Sequence, residues 1–330
     1  MATLVLANFF STIIFSCIAP FYPEEAKLKN MNNFDTGAVF GIFGLITFIV
    51  APLFGRYVTI KFIYYYYYYF LILLSALTSL LFGFITWIPS RQIFLWASLL
   101  IRVGQALGDA AFVTSSFAIA AKYFPGRVTT IFGILEAFSG IGFAAGPLFG
   151  GTLYELGGFQ MPFLILGFIL FIISILSYFL VEKLIDETCI ENKSIKGILR
   201  LPVIWFMIIG VALSSISESF LDSALANHLN SFNLSATFVG FIFFLCDGIY
   251  TLTVPLWSFV LNRWDYCNLI IFFGLISEAI AMFTIGPSPF LFFNKNLFII
   301  GISLIIVDVA AGAVCIPAFQ NCFEVIRSIF

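Results

Sequence analysis

The sequence predicts an all-α integral membrane protein of about ten spanning helices, six before a charged linker and four after it. Composition points there first. Of 330 residues, 62% are hydrophobic and only 10% charged, with a mean hydropathy of +1.09, where a soluble domain carries roughly 25% charged residues. Apolar stretches of about 20 residues, the length that crosses a bilayer, recur along the whole chain. The most charged run, EKLIDETCIENKSIKGILR at 182–200, then divides those stretches. A soluble enzyme is excluded by composition. The six cysteines are scattered singly and the chain has one histidine, so neither a metal site nor a disulfide framework nor histidine-based catalysis is indicated. A net charge of −2 without a basic cluster gives no sign of a nucleic-acid partner.

In order, spans are expected near 3–22, 37–55, 63–87, 93–117, 129–153 and 161–181, then near 201–226, 236–259, 268–288 and 297–320. The first lacks a basic n-region and a cleavage site, so it reads as a span rather than a signal peptide. This gives an N-terminal six-helix bundle at 1–181, a linker at 182–200 and a partial C-terminal bundle at 201–330. With the N-terminus inside, ten Lys and Arg fall in cytosolic segments and four (Lys27, Lys29, Arg91, Lys295) opposite. The positive-inside rule favours that orientation and a cytosolic linker. The Asn233–Ser235 sequon then lies on the other side, close to the membrane. The six tyrosines Tyr64–Tyr69 open the third span at the interface, where aromatic rings settle. VAPLFGRY at 50–57 and TVPLWSFV at 253–260 form a weak internal repeat at the ends of the second and eighth spans.

The stretch GILEAFSGIGFAAGPLFGG, 133–151, is the most patterned. Gly142, Gly146 and Gly150 are four apart and form one smooth ridge on a helix, where another backbone can approach closely. Pro147 frees the Phe143 carbonyl and favours a kink. With Gly133 and Gly151 added, the spacing G-x8-G-x3-G-P-x2-G-G resembles the antiporter signature on the fifth helix of major facilitator transporters. Two six-helix halves joined by a cytosolic linker is the plan of that fold. Under it the second half lacks its last two helices, and the chain reads as a fragment or truncated product.

An ionised group at mid-bilayer costs from ~2.5 to more than 10 kcal/mol. The intramembrane charges are therefore the candidates for chemistry: Arg102, Asp109, Glu136, Glu218, Asp222, Asp247, Glu278 and Asp308. One cation cannot pair seven carboxylates, so several are protonated, near water, or facing a cationic substrate. Glu218 and Asp222 share one face of the seventh span and repel when both are ionised. That suits a proton carrier or a polycation site; a polar face near the interface is the other reading. Asp308, in LIIVDVAAGAV, has nothing polar within one turn. Asp247 and Glu278 are expected near helix ends or paired elsewhere. Asp109 is expected to face the pore or lie near the far end of its helix, on a different face from Arg102.

LLIRVGQALG resembles the R-x-x-Q-G-x-G motif of facilitator helix 4. Together with FFSTIIFSCIAPFYPEEA, the 133–151 signature with LYELGGFQMPFLILG, and FLDSALANHL, it is similar to the vesicular amine transporter family, nearest its polyamine branch. The resemblance implies a substrate carboxylate at Asp222, a proton-coupling aspartate at Asp308 and a coupling arginine at Arg102; a structural ion pair or a bond to backbone carbonyls is the other role open to Arg102. The chain departs from the monoamine members at Ser11, where they carry an aspartate, with Asn8 close by. It departs again at Phe43, where they carry a lysine, and in having Glu136. A multiply charged amine needs several spaced carboxylates. The implied function is proton-coupled antiport of an organic cation of the spermine or spermidine class into an acidic secretory or synaptic-like vesicle. The substrate residues are then Asp222, Glu218, Glu136 and Asn8, the coupling residues Asp308 and Arg102, and no cofactor is called for. The alternatives are a plasma-membrane exporter of organic cations or drugs, and a non-transporting membrane protein that binds or oligomerises.

Overall fold

Helices form wherever the sequence is continuously apolar, because a backbone in hydrocarbon must satisfy its hydrogen bonds within the segment. The computed structural model describes residues 2–58, 64–123, 128–180, 201–263, 266–286 and 295–329. The 182–200 linker, and the side chains of Tyr64–Tyr68, Gly133 and Glu136, lie outside the described residues. Within them the chain forms α1 (Ala2–Ser16), α2 (Tyr22–Leu28), α3 (Asn33–Val58), α4 (Tyr64–Gly83), α5 (Arg91–Tyr123), α6 (Val128–Gly157) and α7 (Gln160–Leu180). After the linker come α8 (Pro202–Leu229), α9 (Ala236–Arg263), α10 (Cys267–Ile285) and α11 (Leu297–Ile329).

Apart from the short α2, these are the ten expected spans. Among the described residues eight are long and apolar enough to cross a membrane, and α1 is a shorter apolar helix. The first span ends at Ser16 rather than at 22. Pro20 cannot extend the ladder, and Pro23 is pre-set for the first turn of α2. Several other helices run past their apolar cores, which is all that hydropathy registers. Asn32 and Asp35 make reciprocal bonds at the start of α3: the Asp35 N–H donates to Asn32 Oδ1 at 2.7 Å and the Asn32 N–H to Asp35 Oδ2 at 3.3 Å. Helices α3, α6, α9 and α11 continue through Pro52, Pro147, Pro255 and Pro317.

The chain divides into two compact units: Met1–Glu191 with Asp222–Phe244, and Asn192–Leu221 with Leu245–Phe330. In the first, α1 lies on α6, and α5 packs against both α3 and α4. The glycine ridge sets the first of these contacts. A Cβ on Gly146 would strike Ser16 Oγ and stand 2.8 Å from the Ile13 carbonyl oxygen, while Gly142 meets Phe9 and Thr12 and Gly150 meets Cys17. Another side of α6 receives α9: Gly151 faces Ala236, and Gly240 lies on the Pro147 carbonyl. Glu155 accepts the Thr237 N–H at 2.8 Å at the start of α9. Phe21, Tyr22, Phe82, Phe94 and Phe163 are buried and fill the interior near α2. Outward stand Phe48 and Phe179, each about three-quarters exposed, as on a surface turned to lipid.

In the second unit α10 and α11 pack along their length. Gly274 lets them approach, since a Cβ there would meet Val314, Ala313 and the Ala310 carbonyl. Gly210 of α8 faces Ile271 and Val314, so three helices converge at that level.

Candidate functional site

In the first unit the arginine that the sequence places at mid-span is also one of the most enclosed side chains. Arg102 of α5 is 1% exposed. Its Nη1 donates to Gln105 Oε1 at 2.8 Å, one turn along the same helix. Three rings cover the guanidinium: Phe43 with its centroid 5.0 Å away, Phe15 at 5.4 Å and Phe82 at 6.0 Å. Such cation–π contacts reach about 2 kcal/mol when desolvated. Among the described residues no carboxylate lies within salt-bridge distance of Arg102, although Asp109 acts on it through space; a salt bridge joins Arg91 to Asp35. Phe43 therefore accounts for a departure from the family pattern. A lysine there would put a second positive charge beside a buried guanidinium.

Asp109 lies two turns beyond Arg102 on α5, half-buried, and so on the same side of the helix rather than on a different face. Its carboxylate accepts a hydrogen bond from the Ser11 hydroxyl of α1. Where the monoamine pattern has an acid on the first helix, this chain has a hydroxyl that holds an acid of the fourth span. Sequence spacing gave no sign of the pair, whose members are 98 positions apart. Asn8 is 2% exposed and donates to Leu4 O of its own helix at 3.0 Å. Asp222 is half-buried on α8. Glu136 lies on α6, its side chain outside the described residues.

In the second unit Glu218 is half-buried on α8, one turn before Asp222. Asp308 of α11 is 9% exposed and lies against the Cys246 thiol of α9, which Asp247 also neighbours. The apolar run around Asp308 gave no hint of that company. Glu278, expected near a helix end or paired elsewhere in the bundle, sits deep in α10 and is 3% exposed. An open cavity of about 400 Å³ lies along α10 and α11, lined by Ser277, Thr284, Ser303 and isoleucines.

Long apolar helices that carry acids and a single sheathed cation inward define a multi-pass membrane transporter rather than an enzyme. Residues 4–327 match the Major Facilitator Superfamily. The chain is 30% identical over 317 residues to the mouse "MFS-type transporter SLC18B1", covering 93% of this chain and 67% of the mouse protein. It is 31% identical over 326 residues to the human protein of that name, covering 95% and 69%. The human vesicular acetylcholine transporter is 28% identical over 154 residues, covering 46% and 26%. The fold is similar to that of a bacterial homologue of the human lysosomal transporter Spinster, in an inward-facing, unoccupied conformation. That match has a TM-score of 0.79 at 14% identity, over 97% of this chain and 73% of the other. The chain belongs to the Major Facilitator Superfamily, in its vesicular amine transporter family.

Proposed function

We propose that the protein is a proton-coupled antiporter that moves a polyamine into an acidic vesicle. One observation carries the reading. The expected spans hold seven carboxylates and one basic side chain, and that side chain, Arg102, is held by rings and an amide. Acids thus outnumber basic groups within the spans, an excess of negative charge that suits a polycationic substrate and protons. The family membership and the SLC18B1 relatives support the same class.

In this mechanism Asp222 and Glu218, one turn apart on α8, take the charged nitrogens of the amine, with Glu136 and Asn8 as further contacts. Asp308, in an apolar helix, exchanges the proton, and Arg102 sets the local potential. A six-helix half at 1–181 and the segment 201–330 rock about the cytosolic 182–200 linker. Protons leaving the lumen compete for the carboxylates that hold the amine.

The test uses reconstituted vesicles with an acid interior. Asp308→Asn is expected to abolish gradient-driven spermine accumulation while leaving spermine exchange. Asp222→Asn is expected to weaken spermine binding more than monoamine binding, because one of several charge contacts is lost. Normal accumulation by Asp308→Asn, or unchanged spermine affinity in Asp222→Asn, overturns the assignment.

A further inference from the structure

We propose that Glu278 is a second proton-carrying site of the transport cycle, built where α8, α10 and α11 meet in the second unit. The proposal rests on the proton-coupled reading above and adds a residue to which that reading gives no role.

The geometry starts from the buried face of α10. Cys267, Gly274, Glu278, Ala281 and Ile285 are its buried residues, spaced seven, four, three and four apart, which is one stripe on a helix. Every other member is small or apolar. Glu278 stands seven residues from the end of the helix, about 10 Å along its axis, too far for the side chain to reach water there. Gly274, one turn back, closes α10 onto Val314 and Ala313 of α11.

The carboxyl group lacks what an ionised acid needs. Among the described residues no hydrogen-bond donor reaches either oxygen. The Ser214 and Ser217 hydroxyls of α8 face it, yet Ser217 donates to Leu213 O at 3.2 Å and Ser214 Oγ has no partner among the described residues. From α11 the Cys315 thiol faces it, and that thiol has Glu218 as its other acidic neighbour and Tyr250 of α9 beside it. No basic side chain is among these groups. An unpaired buried carboxylate costs several kcal/mol, so in this conformation the acid is neutral and holds a proton.

Burial also selects the ligand. At 3% exposed, Glu278 is closed to an amine but not to a proton. Ser214, Ser217 and Glu218 occupy successive positions on one side of α8, and Glu218 is half-buried. They lead from the enclosed acid to a more accessible one. The step is a proton transfer alone: the carboxyl O–H forms as H⁺ arrives from water, and breaks as H⁺ returns to water in another conformation.

Infrared difference spectroscopy on the purified, reconstituted protein tests this, with gradient-driven and counterflow spermine uptake measured alongside. At neutral pH the protonated-carboxyl band is expected to lose a component in Glu278→Gln and to keep it, displaced, in Glu278→Asp. Gradient-driven uptake is expected to fall about tenfold in Glu278→Gln while counterflow is little changed, within the range of ordinary coupling energies. Thermal melting of the variants checks that each is folded. A carboxyl band identical in Glu278→Gln and unmodified protein overturns the proposal. So does a lost band with undiminished gradient-driven uptake. If the unmodified protein shows no gradient-driven uptake, the antiporter reading fails instead, and the infrared result alone still decides whether Glu278 holds a proton.

Discussion

Replacing Gly146 by alanine puts one methyl group where α6 crosses α1. The added carbon would stand 2.8 Å from Ile13 O and 3.1 Å from Ser16 Cβ, and would overlap Ser16 Oγ. The hydroxyl can rotate away, but it then gives up its 3.0 Å bond to Thr12 O, worth about 1 kcal/mol. The Ile13 carbonyl belongs to the backbone and has no such freedom. Ordinary contact begins at 3.4 Å, so α1 has to withdraw by 0.6 Å (3.4 less 2.8). That movement loosens the neighbouring contacts at Gly142 and Gly150, and overpacking of this kind costs about 1–3 kcal/mol. The total is about 2–4 kcal/mol, which lowers the melting temperature by roughly 5 °C or more. Gly44→Ala is the control, since a Cβ there meets nothing within 4 Å. Thermal melting in detergent, followed by folded yield, reads both. Gly146→Ala melting within a degree or so of Gly44→Ala would refute the reasoning, because the ridge would then not be in contact with α1.

The remaining expectations concern how the first unit holds its charges. Phe43→Leu stays apolar but removes one ring from Arg102 and leaves a small gap, and should cost about 1–2 kcal/mol. Phe43→Lys should cost clearly more, about 3–5 kcal/mol, because it buries a second unpaired cation; equal melting of the two variants would show that the ring does not shield the guanidinium. Ser11→Ala removes the donor to Asp109 and should destabilise by about 1–3 kcal/mol, with Ser11→Thr restoring most of it. If Ser11→Ala melts like the unmodified protein, the hydroxyl–carboxylate bond contributes nothing.

The helices were legible because hydropathy reads directly where a backbone can cross a membrane: among the described residues a helix stands at each expected place, and eight of them are long and apolar enough to span. Their ends were not, since Pro20 and Pro23 divide the first span from α2 in a way that a window average blurs. The glycine spacing announced a ridge without naming its partner. That partner is α1, and Gly240 of α9, which pattern alone did not single out, rests on the Pro147 carbonyl. The rings on Arg102 were invisible for a different reason: in a chain that is 19% aromatic, no single phenylalanine stands out. For Glu278 two placements were open, a helix end or the bundle interior. Its place in the stripe 267, 274, 278, 281, 285 can be read from helical spacing, and that spacing argues for the interior.

A lone intramembrane arginine among many acids suggests a central ion pair, and the structure shows why that inference fails. Pairing Arg102 with Asp109 would neutralise both and remove an acid from the interior. Rings do otherwise: they stabilise the guanidinium through their faces without consuming a carboxylate, and Gln105 supplies a neutral acceptor. Asp109 is then free to bond the Ser11 hydroxyl, an interaction that leaves its negative charge intact. The substitutions at Phe43 and Ser11, which look unrelated in sequence, are thus complementary. One removes a cation from the first unit and the other an anion, so their formal charges cancel. What remains is a guanidinium held by rings and an amide, and an acid held by a neutral hydroxyl.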